Sequence, residues 1–193
     1  MTGHNSPKVF HNALDQRVII SITKILLMLK ESCWYWGSTL TSDEARRLLK
    51  TAPSGTFLLR DSTNDRYLFA LTVKTDRGVT NLRLNYSKGK FQLESNDDIL
   101  SPKLPSFECV VQLVNHYMKS KRRILYCSKL SKASSKRKTM LKVELAQPFY
   151  NSVPTLQHLC RRAVHSQTNP DTLSKLPMAN TLRQYVMKYP HSI

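Results

Sequence analysis

From Tyr67 to Glu94 the chain alternates three β-forming runs with two tight turns, which commits it to an antiparallel meander. The runs are Tyr67 to Lys74, Val79 to Tyr86 and Phe91 to Glu94. Thr75-Asp76-Arg77-Gly78 and Ser87-Lys88-Gly89-Lys90 are the turns. A further apolar run, Thr56 to Arg60, precedes them. Helical signals bracket the strands. Thr41-Ser42-Asp43-Glu44 spells a capping box, followed by Ala45, Leu48 and Leu49 as an apolar face and Pro53-Ser54-Gly55 as a stop. Past the meander, Pro105-Ser106 opens another helix, with Val110, Leu113, Val114 and Tyr117 on one side. The order predicts an α+β domain: an antiparallel sheet flanked by two helices. Val143-Glu144-Leu145 reads as one more short strand.

Upstream, the first 16 residues read as a flexible polar tail and Arg17 to Glu31 as a helix. Val18, Ile22, Ile25, Leu26 and Leu29 form a stripe at helical spacing, so this helix is expected to support the domain. The aromatic cluster Trp34-Tyr35-Trp36-Gly37 follows. The most apolar run, Val18 to Leu29, is shorter than the roughly 20 residues a bilayer crossing needs, and no secretory cleavage site follows it. Cys33, Cys109, Cys127 and Cys160 show neither CxxC nor zinc spacing. A soluble cytoplasmic protein is therefore expected, without metal, cofactor or membrane insertion.

Charge is concentrated late in the chain. Residues 109–193 hold 15 basic and 2 acidic side chains, and Lys119 to Lys142 contains ten Lys/Arg and no acid. Such a block is either solvated chain or a surface for nucleic acid or an anionic membrane. It lacks interleaved aromatics and any groove-reading motif, so nucleic acid is not the expected partner.

The last forty residues are helical in pattern. Leu156, Leu159, Cys160, Ala163 and Val164 make one stripe, and Leu182, Tyr185, Val186 and Tyr189 another. So short a segment cannot build a core unaided. Its stripes pack either on the main domain or on another protein.

Alternation places Leu58 and Arg60 on one face of their strand and Phe57 and Leu59 on the other. A guanidinium there is costly to bury without a counter-charge. Arg83 repeats the arrangement, pointing away from Leu82 and Leu84 between Asn81 and Asn85. Ser62 and Thr63 follow the first arginine in a polar turn. Two guanidinium groups with hydroxyls suit a doubly charged phosphate. Pairing of Arg60 with Asp61, Asp65 or another internal acid fits the pattern equally.

The blocks Trp34-Tyr35-Trp36-Gly37, Gly55-Thr56-Phe57-Leu58-Leu59-Arg60-Asp61-Ser62 and the Phe107 to Met118 helix closely resemble a Src-homology-2 (SH2) domain. The resemblance implies that Arg60, Ser62, Thr63 and Arg83 bind phosphotyrosine. It also implies that Leu82 tunes specificity toward apolar residues after it. Many members carry an arginine where this chain has Ser42, which would give Arg83 a larger share of the phosphate. Thr155 to Val164 is similar to the elongin-binding box of the suppressors of cytokine signalling, implying elongin contacts from Leu156, Leu159, Cys160 and Val164. Leu173 to Val186 resembles the cullin-binding box after it, with Leu176 and Pro177 in place and Ala179 where the family often has proline. The runs Arg60 to Thr63, Tyr67-Leu68-Phe69, Val73-Lys74-Thr75 and Gln147-Pro148-Phe149 are most similar to the cytokine-inducible branch of that family, with the number-two branch next.

The resemblance divides the chain into a tail (1–16), an extension helix (17–33), an SH2 domain carrying the basic insert 119–142 (34–147) and an all-α SOCS box (148–193). It implies a non-catalytic substrate receptor of a ubiquitin ligase. The implied partners are tyrosine-phosphorylated cytokine receptors, elongins B and C and cullin-5, and the outcome is suppression of JAK-STAT signalling. The first sixteen residues resemble no kinase-inhibitory segment. Rival readings are an adaptor that only blocks phosphosites and, more remotely, a nucleic-acid binder.

Overall fold

The computed structural model describes residues 16–94, 104–119, 124–128 and 139–188. The expected tail before Gln16, most of the basic insert, and Tyr189 lie outside the described residues. Six α-helices and seven strands are described: α1 Gln16–Glu31, α2 Ser42–Leu48, β1 Thr56–Asp61, β2 Phe69–Thr75, β3 Gly78–Ser87, β4 Lys90–Leu93, α3 Val110–Lys119, β5 Ile124–Ser128, β6 Thr139–Val143, β7 Gln147–Pro148, α4 Leu156–Gln167, α5 Pro170–Ser174 and α6 Asn180–Met187.

The meander forms as its turns dictate. Strand order in the main sheet is β4-β3-β2-β1-β7, antiparallel except at β7, which runs parallel to β1. Two short segments share the outer edge of β1. Gln147 and Pro148 pair with Thr56 and Phe57 at its start. At its end, Trp36 N–H donates to Leu59 O and Leu59 N–H to Trp34 O. Covering this edge removes a row of unpaired backbone groups. A separate two-stranded sheet joins β5 to β6.

Side-chain alternation sends two sets of residues to two faces. Phe57, Leu59, Leu71, Val73, Leu82 and Leu84 meet Val110, Val111, Leu113 and Val114 of α3, together with Ile25 and Leu29 of α1. On the opposite face Leu58 packs with Leu40, Ala45 and Leu49 around α2. The α2 capping box is present in full, with Thr41 and Glu44 each bonding the other's backbone N–H.

Two expectations need correction. The third helix begins at Val110, not at Pro105-Ser106, because Phe107 exchanges both backbone hydrogen bonds with Phe91 and is held as an extension of the sheet. The late strand ends at Val143 and leaves Glu144 and Leu145 outside it. Val143 and Leu145 still drop into the main core.

Gly55 shows why that returning segment fits. It lies at φ +86°, and a Cβ there would stand 2.7 Å from the Cβ of Ala146. The Ala146 N–H donates to Gly55 O at 2.8 Å. Gly55→Ala is expected to destabilise the domain by more than about 1 kcal/mol, since it adds both backbone strain and a clash. Thermal denaturation checks this: an unchanged melting temperature would show that the close approach is dispensable. No helix among the described residues is long and apolar enough to cross a membrane.

Candidate functional site

Arg60 ends the buried part of β1 on the face that α2 covers. The residue is only 2% exposed. Its Nε donates to Thr72 Oγ1 at 3.3 Å, Nη1 to the Asp61 backbone O at 2.9 Å and Nη2 to Asn81 Oδ1 at 3.4 Å. Every one of these acceptors is neutral. Among the described residues no carboxylate lies within ion-pair distance of the guanidinium. The Asp61 carboxylate is engaged elsewhere, accepting the Tyr35 hydroxyl at 2.6 Å. Burial of the Tyr35 hydroxyl, this hydrogen bond and the Asp61 charge push the Tyr35 pKa well above the usual tyrosine range, burial contributing most.

Among the described residues, then, no internal acid neutralises Arg60 by ion pairing. A guanidinium carries five N–H donors. The three contacts above leave one N–H on each terminal nitrogen, two donors with which a guanidinium can still meet a phosphate or carboxylate. Burial lowers the pKa of Arg60 most, Arg46 lowers it further, and Asp61 opposes them. A buried cation with no ion-pair partner among the described residues favours an anion arriving from outside. With so little of the residue exposed, an incoming anion must displace part of its cover.

The polar floor around Arg60 is one network. Thr72 Oγ1 donates to Asn81 Oδ1 at 2.7 Å, and Asn81 Nδ2 donates to Ser42 Oγ at 2.9 Å. Ser42 is the first residue of α2, where the resemblance placed it. Thr72, Asn81 and Arg46 were not among the predicted site residues. A local signal existed for two of them. Thr72 is a hydroxyl inside an apolar strand, and Arg46 shares a helix face with Ser42 at i+4. In the turn after Arg60, Ser62 Oγ accepts the Asn64 N–H and Asn64 Oδ1 accepts the Arg66 N–H, which folds Ser62 and the exposed Thr63 into a compact loop.

Register brings Arg83 to the same face. Arg60 pairs with Ala70 and Ala70 with Arg83, so the two arginines lie two strands apart, about 10 Å at the usual strand spacing. Arg83 is exposed, and its Nη1 lies 3.3 Å from Glu94 Oε2. Leu82 differs from expectation. It is on the far face, 2% exposed and part of the main core, so it is a packing residue here and offers a ligand no surface.

The C-terminal helices hold together through α6. Arg161 lies 3.9 Å from the Tyr185 ring centroid and donates to Tyr185 O, while a His165 ring nitrogen donates to Val186 O. Donors at a helix C-terminus satisfy its last carbonyls, and the Arg161 guanidinium also complements the α6 dipole. Leu173 and Val186 are buried between these helices. The α4 stripe is not: Leu156 is 77% exposed, Leu159 37%, and Cys160 is exposed too. Val164 and Leu176 are half-buried and Pro177 is exposed. The N-terminal half of this stripe is left uncovered by the described residues. Among the described residues no group of three or more His, Cys, Asp or Glu is placed to hold a metal ion.

Comparison with known proteins bears on both regions. A family model described as SH2 domain matches residues 34–117, and one described as SOCS box matches residues 152–187. The chain is 40% identical over 168 residues to suppressor of cytokine signaling 2 of Mus musculus, covering 87% of this chain and 80% of that one. The same protein of Homo sapiens is 39% identical over the same shares. Cytokine-inducible SH2-containing protein of Gallus gallus is 36% identical over 191 residues, covering 91% of this chain and 73% of that one.

Proposed function

Because the chain belongs to the suppressor of cytokine signalling family, we propose that it silences activated cytokine receptors by two linked acts, occupying a receptor phosphotyrosine and carrying ubiquitylation machinery to it. Membership itself makes the chain a negative regulator of cytokine signalling and, in general terms, a ligase substrate receptor built from two non-catalytic recognition modules. The finer reading is that Arg60 binds the phosphate with help from Ser62, Thr63 and Arg83. Leu156, Leu159, Cys160 and Val164 then bury against elongin C, and Leu176 and Pro177 face cullin-5. This work would take place in the cytoplasm, at receptors of the JAK-STAT type.

One observation carries this reading: a guanidinium buried among neutral acceptors, with a free N–H on each terminal nitrogen among the described residues. A singly charged ligand would satisfy it less well than the roughly −1.5 to −2 charge of phosphotyrosine. The exposed α4 stripe supports the second half, since an apolar surface of that kind marks an interaction site. Co-expression with elongins B and C, followed by probing a phosphotyrosine-peptide array with the purified complex, tests both halves. Retained elongins and phosphate-dependent spots are expected. A blocking adaptor would arrive at the array alone, and a protein that bound no phosphorylated spot would end the proposal.

A further inference from the structure

Glu94, one residue past the end of β4, lies beside Arg83 of β3 and donates its N–H to Arg83 O at 2.9 Å. Both carboxylate oxygens of Glu94 are engaged. Oε2 meets Arg83 Nη1 at 3.3 Å, and Oε1 accepts the Tyr67 hydroxyl. The Tyr67 ring completes a triangle, its centroid 5.4 Å from the guanidinium carbon of Arg83. Side-chain exposure is uneven, 49% for the arginine and 19% for the glutamate. The cation therefore lies at the surface with its partner acid tucked beneath.

We propose that Glu94 is an internal competitor for the incoming phosphate, a carboxylate that occupies Arg83 until phosphotyrosine displaces it. This inference rests on the phosphotyrosine reading of Arg60. Register places Arg83 on the Arg60 side of the sheet, one residue row across Ala70, within reach of a ligand seated on Arg60. A phosphate with close to two charges outcompetes one carboxylate for the same guanidinium. The pair is also weak enough to exchange, because a half-exposed ion pair is stabilised only slightly. Tyr67 keeps Glu94 in place as a donor. Its hydroxyl stays protonated well above neutral pH, chiefly through the hydrogen bond to Glu94 and then through burial. The consequence is a threshold: anions that cannot displace Glu94 meet one available arginine, and a phosphotyrosine meets two.

The test is an NMR titration with phenyl phosphate, which carries the ring and phosphoryl group without flanking residues, repeated with a tyrosine-phosphorylated peptide. Glu94→Gln keeps the shape and can still accept from Tyr67 while losing the charge. It is expected to bind both probes about two- to five-fold more tightly, the range an exposed ion pair allows. The gain should vanish in an Arg83→Gln background. Tyr67→Phe, which loosens Glu94 but retains the ring, should show a smaller gain. Weaker binding by Glu94→Gln would overturn the proposal by making Glu94 a positioning residue for Arg83. Unchanged binding, or a gain that persists without Arg83, would overturn it as well. A wild-type protein that bound neither probe would instead remove the phosphotyrosine reading, and this inference with it.

Discussion

Arg60→Lys is expected to weaken binding of a tyrosine-phosphorylated peptide by about 2–5 kcal/mol, roughly 30-fold to several thousand-fold, while the domain remains folded. Lysine keeps the charge but loses the planar fork, and a compact ammonium cannot engage two phosphate oxygens in the same way. The surrounding network does not depend on the guanidinium. Thr72 still donates to Asn81, and Asn81 to Ser42, once the arginine donors are gone. Arg60→Met sharpens the argument. If the buried charge serves only a ligand, its removal should hold or raise the melting temperature while peptide binding disappears, a trade between stability and function that binding sites commonly show. Calorimetric titration and thermal denaturation on the same samples read both effects. A large fall in melting temperature for Arg60→Met would make the arginine structural. Retained peptide affinity in Arg60→Lys would remove it from the pocket.

Leu156→Asp and Cys160→Asp are each expected to abolish co-purification of elongins B and C, with peptide affinity unchanged. Both side chains are exposed in the free chain, and surface changes of this kind leave stability within about 0.5 kcal/mol. Leu156 is the first residue of α4, behind the Thr155 cap, so an aspartate there suits the helix dipole and leaves the helix intact. Losing an apolar anchor from the centre of an interface costs about 2 kcal/mol or more, and a carboxylate in its place adds a desolvation penalty. Pull-down from co-expressing cells reads the first effect and peptide titration the second. Elongin retention would disqualify the stripe. Joint loss of both functions would mean that the two modules are not separable.

Much of this was readable from local pattern. Period-two alternation separated Leu58 and Arg60 from Phe57 and Leu59 within one strand, and Arg83 from Leu82 and Leu84 within another, and the two cores divide that way. The capping box placed Ser42 at the head of its helix. What the pattern lacked was register. Thr72, Asn81 and Ser42 become one network only because Leu58, Thr72 and Asn81 align across three strands, a relation between segments that no single segment encodes. The Glu94 contact to Arg83 arises likewise from the β3–β4 alignment. Phe107 illustrates the opposite failure: a helical signal after Pro105 is overridden by pairing with Phe91, because two backbone hydrogen bonds at a sheet edge outweigh local propensity. For Leu82, resemblance supplied a role, whereas burial in this chain assigns it to packing.

The chain between the two modules has little slack. Phe149 stacks on Trp36 and donates its N–H to Phe57 O, Trp36 Nε1 donates to Phe149 O, and Asn151 bonds Cys33 O and Tyr35 O. Arg162 of α4 then reaches the Tyr150 hydroxyl. A junction stitched at this many points behaves as a bracket rather than a tether. On the proposed function, the span from a phosphotyrosine held at Arg60 to whatever docks on α4 becomes a built-in dimension of the molecule, and lysines at that distance from the bound tyrosine would be the ones marked.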